Sequence, residues 1–68
     1  MRIVLNGEPR ELHERATVAD AVDASGAPDS RAGVAVAVAG EVVPRSGWSE
    51  RTLAEGDQVE VLQAVQGG

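Results

Sequence analysis

The stretch Thr17-Val18-Ala19-Asp20-Ala21-Val22-Asp23-Ala24-Ser25-Gly26 decides the fold. Thr17 reads as an N-cap, and Asp20 answers it from three residues on, the capping-box pattern. Val18, Ala21, Val22 and Ser25 share one helical face at i, i+3, i+4 and i+7. Gly26 stands where a left-handed residue closes a helix, and Pro28 forbids continuation. The pattern predicts one helix over 18–25. Two turns of helix are not stable alone in water. Its apolar face must therefore lie on a sheet, and the rest of the chain has to supply that sheet.

Toward the N-terminus, Arg2-Ile3-Val4-Leu5 is β-rich and runs into Asn6-Gly7. That pair suits a type I′ turn, which needs positive φ at both central positions. A hairpin of residues 2–5 and 8–13 is expected. Pro9 cannot donate to a ladder, so the second strand belongs at a sheet edge. A strict two-residue turn sets Ile3 opposite Arg10. Either the Arg10 stem covers the core rim, or a bulge shifts the register.

Toward the C-terminus, residues 27–33 form a loop. Val34-Ala35-Val36-Ala37-Val38-Ala39 then alternates large and small without a charge, which suits a strand inside a sheet. Ala39-Gly40 turns into Glu41-Val42-Val43, and Pro44 stops that strand. Residues 45–57 are irregular and hold the only Trp. Gln58 to Val65 is the last strand, with Val59, Val61 and Val65 on one face and Glu60, Leu62 and Ala64 on the other. The expectation is an α+β domain: a mixed sheet of about five strands packed on one short helix. Its core would be Ile3, Leu5, Val18, Ala21, Val22, Val34, Val36, Val38, Val59, Val61 and Val65. Residues 1–65 form this single domain and 66–68 a flexible tail.

Composition narrows the function. Sixty-eight residues leave room for one small domain. The absence of cysteine excludes disulfides and thiol chemistry, and a single histidine excludes a multi-histidine metal site, so no metal is expected. A hydrophobic share of 43% argues against disorder. The net charge of −5 disfavours nucleic acid, whose phosphates repel such a surface. All basic residues are arginine. No apolar run approaches about 18 residues and no basic-then-apolar leader opens the chain, so a soluble, cytoplasmic protein with no membrane partner is expected.

Self-sufficient catalysis is not expected. There is no phosphate-cradling Gly-x-x-x-x-Gly-Lys and no Gly-x-Gly-x-x-Gly. His13 reads as a solvated residue. Trp48 reads as the plug of a small core under a loop. Glu55, Asp57 and Glu60 read as a wet turn and strand edge, or as a docking patch for a basic partner.

The end of the chain is different. A strand runs without a turn into Gln66-Gly67-Gly68. Glycine has no side chain, so such a tail can thread a narrow channel. Extended, Val65 to Gly68 spans about 13–14 Å, at roughly 3.3–3.6 Å per residue. That reach carries the Gly68 carboxylate from the domain surface into another protein's active site, with Gln66 and Gly67 threading the channel. A free carboxylate is a poor electrophile and needs a leaving group, of which adenylate from ATP is the usual one. The nucleotide site must then belong to a partner. The outward sheet face carrying Val4, Leu62 and Ala64 is the candidate surface for docking that partner.

Several segments together resemble the ThiS family of sulfur carrier proteins of thiamin biosynthesis. They are Ile3-Val4-Leu5-Asn6-Gly7-Glu8, Ala16-Thr17-Val18-Ala19-Asp20-Ala21-Val22, Val34-Ala35-Val36-Ala37-Val38, Glu41-Val42-Val43-Pro44-Arg45 with Trp48, Glu55-Gly56-Asp57-Gln58-Val59-Glu60-Val61, and Gly67-Gly68. The resemblance implies a ubiquitin-like β-grasp fold. It also implies that Gly68 becomes an acyl adenylate and then a thiocarboxylate. The implied partners are an adenylyltransferase (ThiF-like) that supplies the ATP and Mg²⁺ site, a cysteine desulfurase as sulfur source, and thiazole synthase (ThiG-like) as sulfur acceptor. The chain itself would bind no cofactor. Ala39 stands where family members often have asparagine. Two alternatives stay open: a sulfur carrier for another pathway (molybdopterin or a specialised metabolite), and a ubiquitin-like modifier of other proteins.

Overall fold

A computed structural model describes residues 1–28 and 30–64; Val65, expected in the core, and the tail residues Gln66, Gly67 and Gly68 lie outside the described residues. Five strands and one helix follow in the order β1 (Arg2–Leu5), β2 (Glu8–Glu11), α1 (Val18–Ala24), β3 (Val34–Val38), β4 (Glu41–Val43) and β5 (Gln58–Gln63), with a 3-10 turn at Arg45–Gly47. The sheet order is β2-β1-β5-β3-β4. β1 and β5 run parallel at its centre, and every other neighbouring pair is antiparallel.

The hairpin forms as the Asn-Gly pair requires, with φ of 50° at Asn6 and 82° at Gly7. Ile3 faces Arg10 and Leu5 faces Glu8 without a bulge. β2 is the edge strand that Pro9 demands, and it ends at Glu11 rather than at residue 13. All of β2 is exposed, so Arg10 is not a core lid. Ile3 and Leu5 are instead buried in one cluster with Val18, Ala21 and Val22 of α1. At the other hairpin Ala39 takes φ 51° before Gly40. A Cβ in the left-handed region costs about 1–2 kcal/mol, and asparagine would tolerate it better than alanine.

Val18, Ala21 and Val22 form the buried stripe of α1. They pack over Ile3, Leu5, Val36, Val38, Val59 and Val61, all buried. Val34 is only partly buried, because it sits near the end of β3 opposite Gln63. Three further core residues were not expected from the pattern, Ala16, Val43 and Leu53, and they join Trp48, the plug that the sequence did predict. They close the end of the core beside the N-terminus of α1. The reason lies in that helix end, whose first N–H groups have no partner within the helix. Val18 N–H donates to Arg51 O at 2.9 Å and Ala19 N–H to Trp48 O at 3.0 Å. Thr17 forms an isolated bridge with Thr52, and Leu53 N–H donates to Ala16 O at 2.9 Å. The stretch that looks irregular in sequence is thus fixed by the helix it caps.

The capping box is complete. Thr17 N–H donates to Asp20 Oδ2 at 2.8 Å, and Asp20 N–H donates to Thr17 Oγ1 at 3.4 Å. His13 Nε2 lies 3.2 Å from the same Asp20 oxygen. The Thr17 N–H holds the Asp20 carboxyl below its ordinary value, against partial desolvation and with lesser help from His13 and the Thr17 hydroxyl. Asp20→Ala should cost about 1 kcal/mol at neutral pH, a fall of about 4–8 °C in melting temperature for a domain of this size. Because the folded-state pKa lies below the unfolded one, this stabilisation is present above about pH 4 and is lost as pH falls through the folded value. Thermal melts of wild type and Asp20→Ala at pH 7 and at pH 3 check this: the gap between them should narrow in acid.

Candidate functional site

The face of the sheet away from α1 carries no helix. Strand pairing fixes which side chains share it, since residues directly opposite one another point to the same side. Ala35 lies opposite Leu62, and Ala37 lies opposite both Glu60 and Val42. Leu62 is 63% exposed and Val42 is 72% exposed, the two exposed large hydrophobics of the described residues. Val42, Ala37, Ala35 and Leu62 therefore form one apolar strip across β4, β3 and β5.

The expected surface residues divide on this face. Leu62 belongs to the strip, and the two-residue period brings exposed Ala64 to the same side. Val4 is also on this face but sits beside Gln58, with Glu60 between it and Leu62. It is half-buried and stands apart from the strip. Val42, Ala35 and Ala37 are the members that a reading of β5 alone misses. The alternation in Val34–Ala39 carries the signal, because valines turned inward force the alanines outward.

The strip leads to the end of β5, where the described residues stop. Ala64 N–H donates to Gly33 O at 2.8 Å, the last pairing of β5 among the described residues. Gly33 has φ 71°, and a Cβ there would meet Ala64 O at 3.4 Å. Glycine is favoured at 33 by its backbone angle, while an added Cβ would find only ordinary contact with Ala64. On its other side β5 is held by Asn6. Val61 N–H donates to Asn6 Oδ1 at 2.8 Å, and Asn6 Nδ2 donates to Val61 O at 3.2 Å. Gln66, Gly67 and Gly68 themselves lie outside the described residues.

The other chemistry-bearing residues serve local structure. Glu55 Oε1 accepts from Arg2 N–H at 3.1 Å, and Asp57 Oδ2 accepts from Ala54 N–H at 2.7 Å. Both fix the turn before β5, which leaves only Glu60 of the acidic trio pointing out from the open face. His13 is tied to the helix cap. Trp48 is buried, with its Nε1–H donating to Val43 O at 2.9 Å, so it is a core plug and not an exposed anchor. Among the described residues no group of three His, Cys, Asp or Glu could hold a metal ion, and no helix is long and apolar enough to cross a membrane. What remains is an apolar strip beside the end of β5, four residues before Gly67-Gly68 in the sequence.

Comparison with known proteins agrees with this layout. The model of the ThiS family matches residues 3–68. The sulfur carrier protein ThiS of Escherichia coli (strain K12) is 28% identical over 68 residues, covering 100% of both chains. The crystal structure of a thiamine biosynthesis protein (ThiS) from Geobacter metallireducens superposes with a TM-score of 0.79 at 30% identity, again over 100% of both chains. The solution structure of the protein from the same organism gives 0.78 at 30% identity, covering 100% of this chain and 88% of that one.

Proposed function

The chain belongs to the ThiS family, and from that premise we propose that it is a sulfur carrier of thiamine biosynthesis, loaded and unloaded at Gly68 by partner enzymes. The observation that carries the reading is the family match running through residue 68, with Gly67-Gly68 as the last two residues of the matched stretch.

The chemistry follows from the acyl carbon. A Gly68 carboxylate oxygen attacks the α-phosphorus of ATP, and pyrophosphate leaves. The terminal sulfur of a persulfide then attacks the acyl carbon, and AMP leaves. A thiol cleaves the resulting sulfur–sulfur bond, becomes a disulfide with the persulfide's remaining thiol, and frees the thiocarboxylate. An adenylyltransferase supplies the ATP and Mg²⁺ site, a cysteine desulfurase supplies the persulfide, and a thiazole synthase takes the sulfur. The chain itself binds no cofactor and acts as a protein substrate. Glycine at 67 and 68 leaves both faces of the acyl carbon open to attack. Tethering the sulfur in a partner's pocket raises its effective concentration far above that of free sulfide.

The apolar strip and the tail would act together. Ordering Gln66, Gly67 and Gly68 in a partner costs roughly 3–6 kcal/mol at 1–2 per residue. Burying Leu62 and Val42 against that partner, at about 1.5–3 kcal/mol for a fully buried aliphatic side chain, is of the size needed to offset it. The test is intact mass. Incubated with an adenylyltransferase, a cysteine desulfurase, cysteine, a thiol and ATP, the chain should exchange one terminal oxygen for sulfur. Lysine-linked conjugates on other proteins would instead point to a modifier.

A further inference from the structure

β1 ends at Leu5, because Asn6-Gly7 turns the chain back into β2. β5 continues past that point and so loses its parallel neighbour. The regular ladder runs from Val4 N–H donating to Asp57 O to Asn6 N–H donating to Val59 O, each at 2.9 Å. The next rung falls at Val61, where no β1 backbone is left. The Asn6 side chain fills it, accepting from Val61 N–H at 2.8 Å and donating to Val61 O at 3.2 Å. One side-chain amide thus replaces a peptide unit of the missing strand. The two-residue period turns Gln63 to the same side as Val59 and Val61, one rung beyond Asn6. On the opposite side β5 stays paired with β3 as far as Val34 opposite Gln63, and then through Ala64 to Gly33. Val61 is therefore the last residue of β5 gripped from both sides among the described residues.

The turn does not require this side chain. Positive φ at Asn6 would suit glycine as well. We propose that Asn6 is a positioning residue for sulfur loading: by clamping Val61 it fixes the position and direction of the end of β5, from which the chain goes on to Gly68. This rests on the carrier reading given above. Without the clamp the end of β5 is held along one edge only, the kind of element that opens locally at low cost. The end of β5 then points over a wider range of directions. A smaller fraction of molecules is poised for the partner's channel, and the apparent affinity falls by that fraction. Once bound, the reacting geometry is unchanged.

The experiment compares wild type, Asn6→Gly, Asn6→Asp and Asp20→Ala. Asn6→Gly keeps the turn and deletes the clamp. Asn6→Asp keeps an acceptor for Val61 N–H but loses the donor to Val61 O. Asp20→Ala lowers stability from the far end of the fold. Loading by an adenylyltransferase and cysteine desulfurase is followed by intact mass against carrier concentration. Hydrogen exchange of the free proteins is read at Val61 and, as reference, at Val36. Asn6→Gly should raise KM for loading roughly tenfold, the ratio that losing one or two net hydrogen bonds gives, with kcat within about twofold. Its Val61 amide should exchange faster relative to Val36. Asn6→Asp should shift KM in the same direction, and Asp20→Ala should leave KM at the wild-type value. A wild-type KM in both Asn6 variants, with wild type loaded normally, overturns the clamp alone. So does an equal rise in Asp20→Ala, which would make the effect one of stability. A wild-type chain that is never loaded overturns the carrier reading, and the clamp's role with it.

Discussion

Deleting Gly68 should abolish sulfur loading and leave the fold as it is. Every buried hydrophobic residue described lies between Ile3 and Val61, so the deletion removes no part of that core, and the melting temperature should stay within about 1 °C. The chemistry should not survive. The new terminal carboxylate, on Gly67, would sit one residue short, a displacement of about 3.3–3.6 Å. Misplacing a reacting atom by even about 1 Å can cost 10²-fold. Loading of the shortened chain should therefore fall at least about 100-fold, as followed by intact mass under conditions that load the full chain. Thermal melts of both proteins provide the control. Loading at the wild-type rate would mean that Gly68 is not the site.

The second large effect concerns stability. Trp48→Ala should unfold a substantial part of the population. Trp48 is 4% exposed and is the only aromatic residue in a core built otherwise of valine, leucine, isoleucine and alanine. Truncating a buried Trp costs about 3–5 kcal/mol. At about 0.05–0.15 kcal/mol per residue, a chain of this length has a total stability of roughly 3–10 kcal/mol. The change also strands Val43 O, which now accepts from the indole N–H, and it loosens the segment whose carbonyls satisfy the first N–H groups of α1. Trp48→Phe keeps most of the volume and isolates the hydrogen bond, at about 1–3 kcal/mol for the acceptor left unpaired. Urea denaturation followed by far-UV circular dichroism orders the three proteins. A Trp48→Ala midpoint equal to that of wild type would contradict the packing described.

The sequence carried the outline of the fold at the residues where backbone chemistry is local. Asn6-Gly7 dictated a turn by its φ angles, Pro9 dictated an edge, and Thr17 with Asp20 dictated a helix start; each is found. Alternation placed β3 inside the sheet. The 45–53 segment was not legible, because it has no period of its own. It is ordered by N–H groups at the start of α1, far away in sequence, and so Leu53 enters the core through a tertiary cause, while Trp48 was legible as a plug from its residue type alone. The face proposed for docking was half legible. Leu62 and Ala64 followed from β5 alone, but their grouping with Ala35, Ala37 and Val42 depends on which strands are neighbours. Val4 falls outside that group because β1 and β5 are in parallel register with Gln58 beside it. Asn6 was legible as a turn residue but not as a clamp, since its partner Val61 is distant in the chain. Glu55 and Asp57, readable as a partner patch, turn out to fix the turn before β5.

The most direct test of the account is the mass of the chain after exposure to an adenylyltransferase, a cysteine desulfurase, cysteine, a thiol and ATP. The account predicts a species in which one oxygen has been replaced by sulfur, appearing only with ATP and located by fragmentation at Gly68. A chain that stays unmodified while another sulfur carrier is loaded in the same mixture would contradict it.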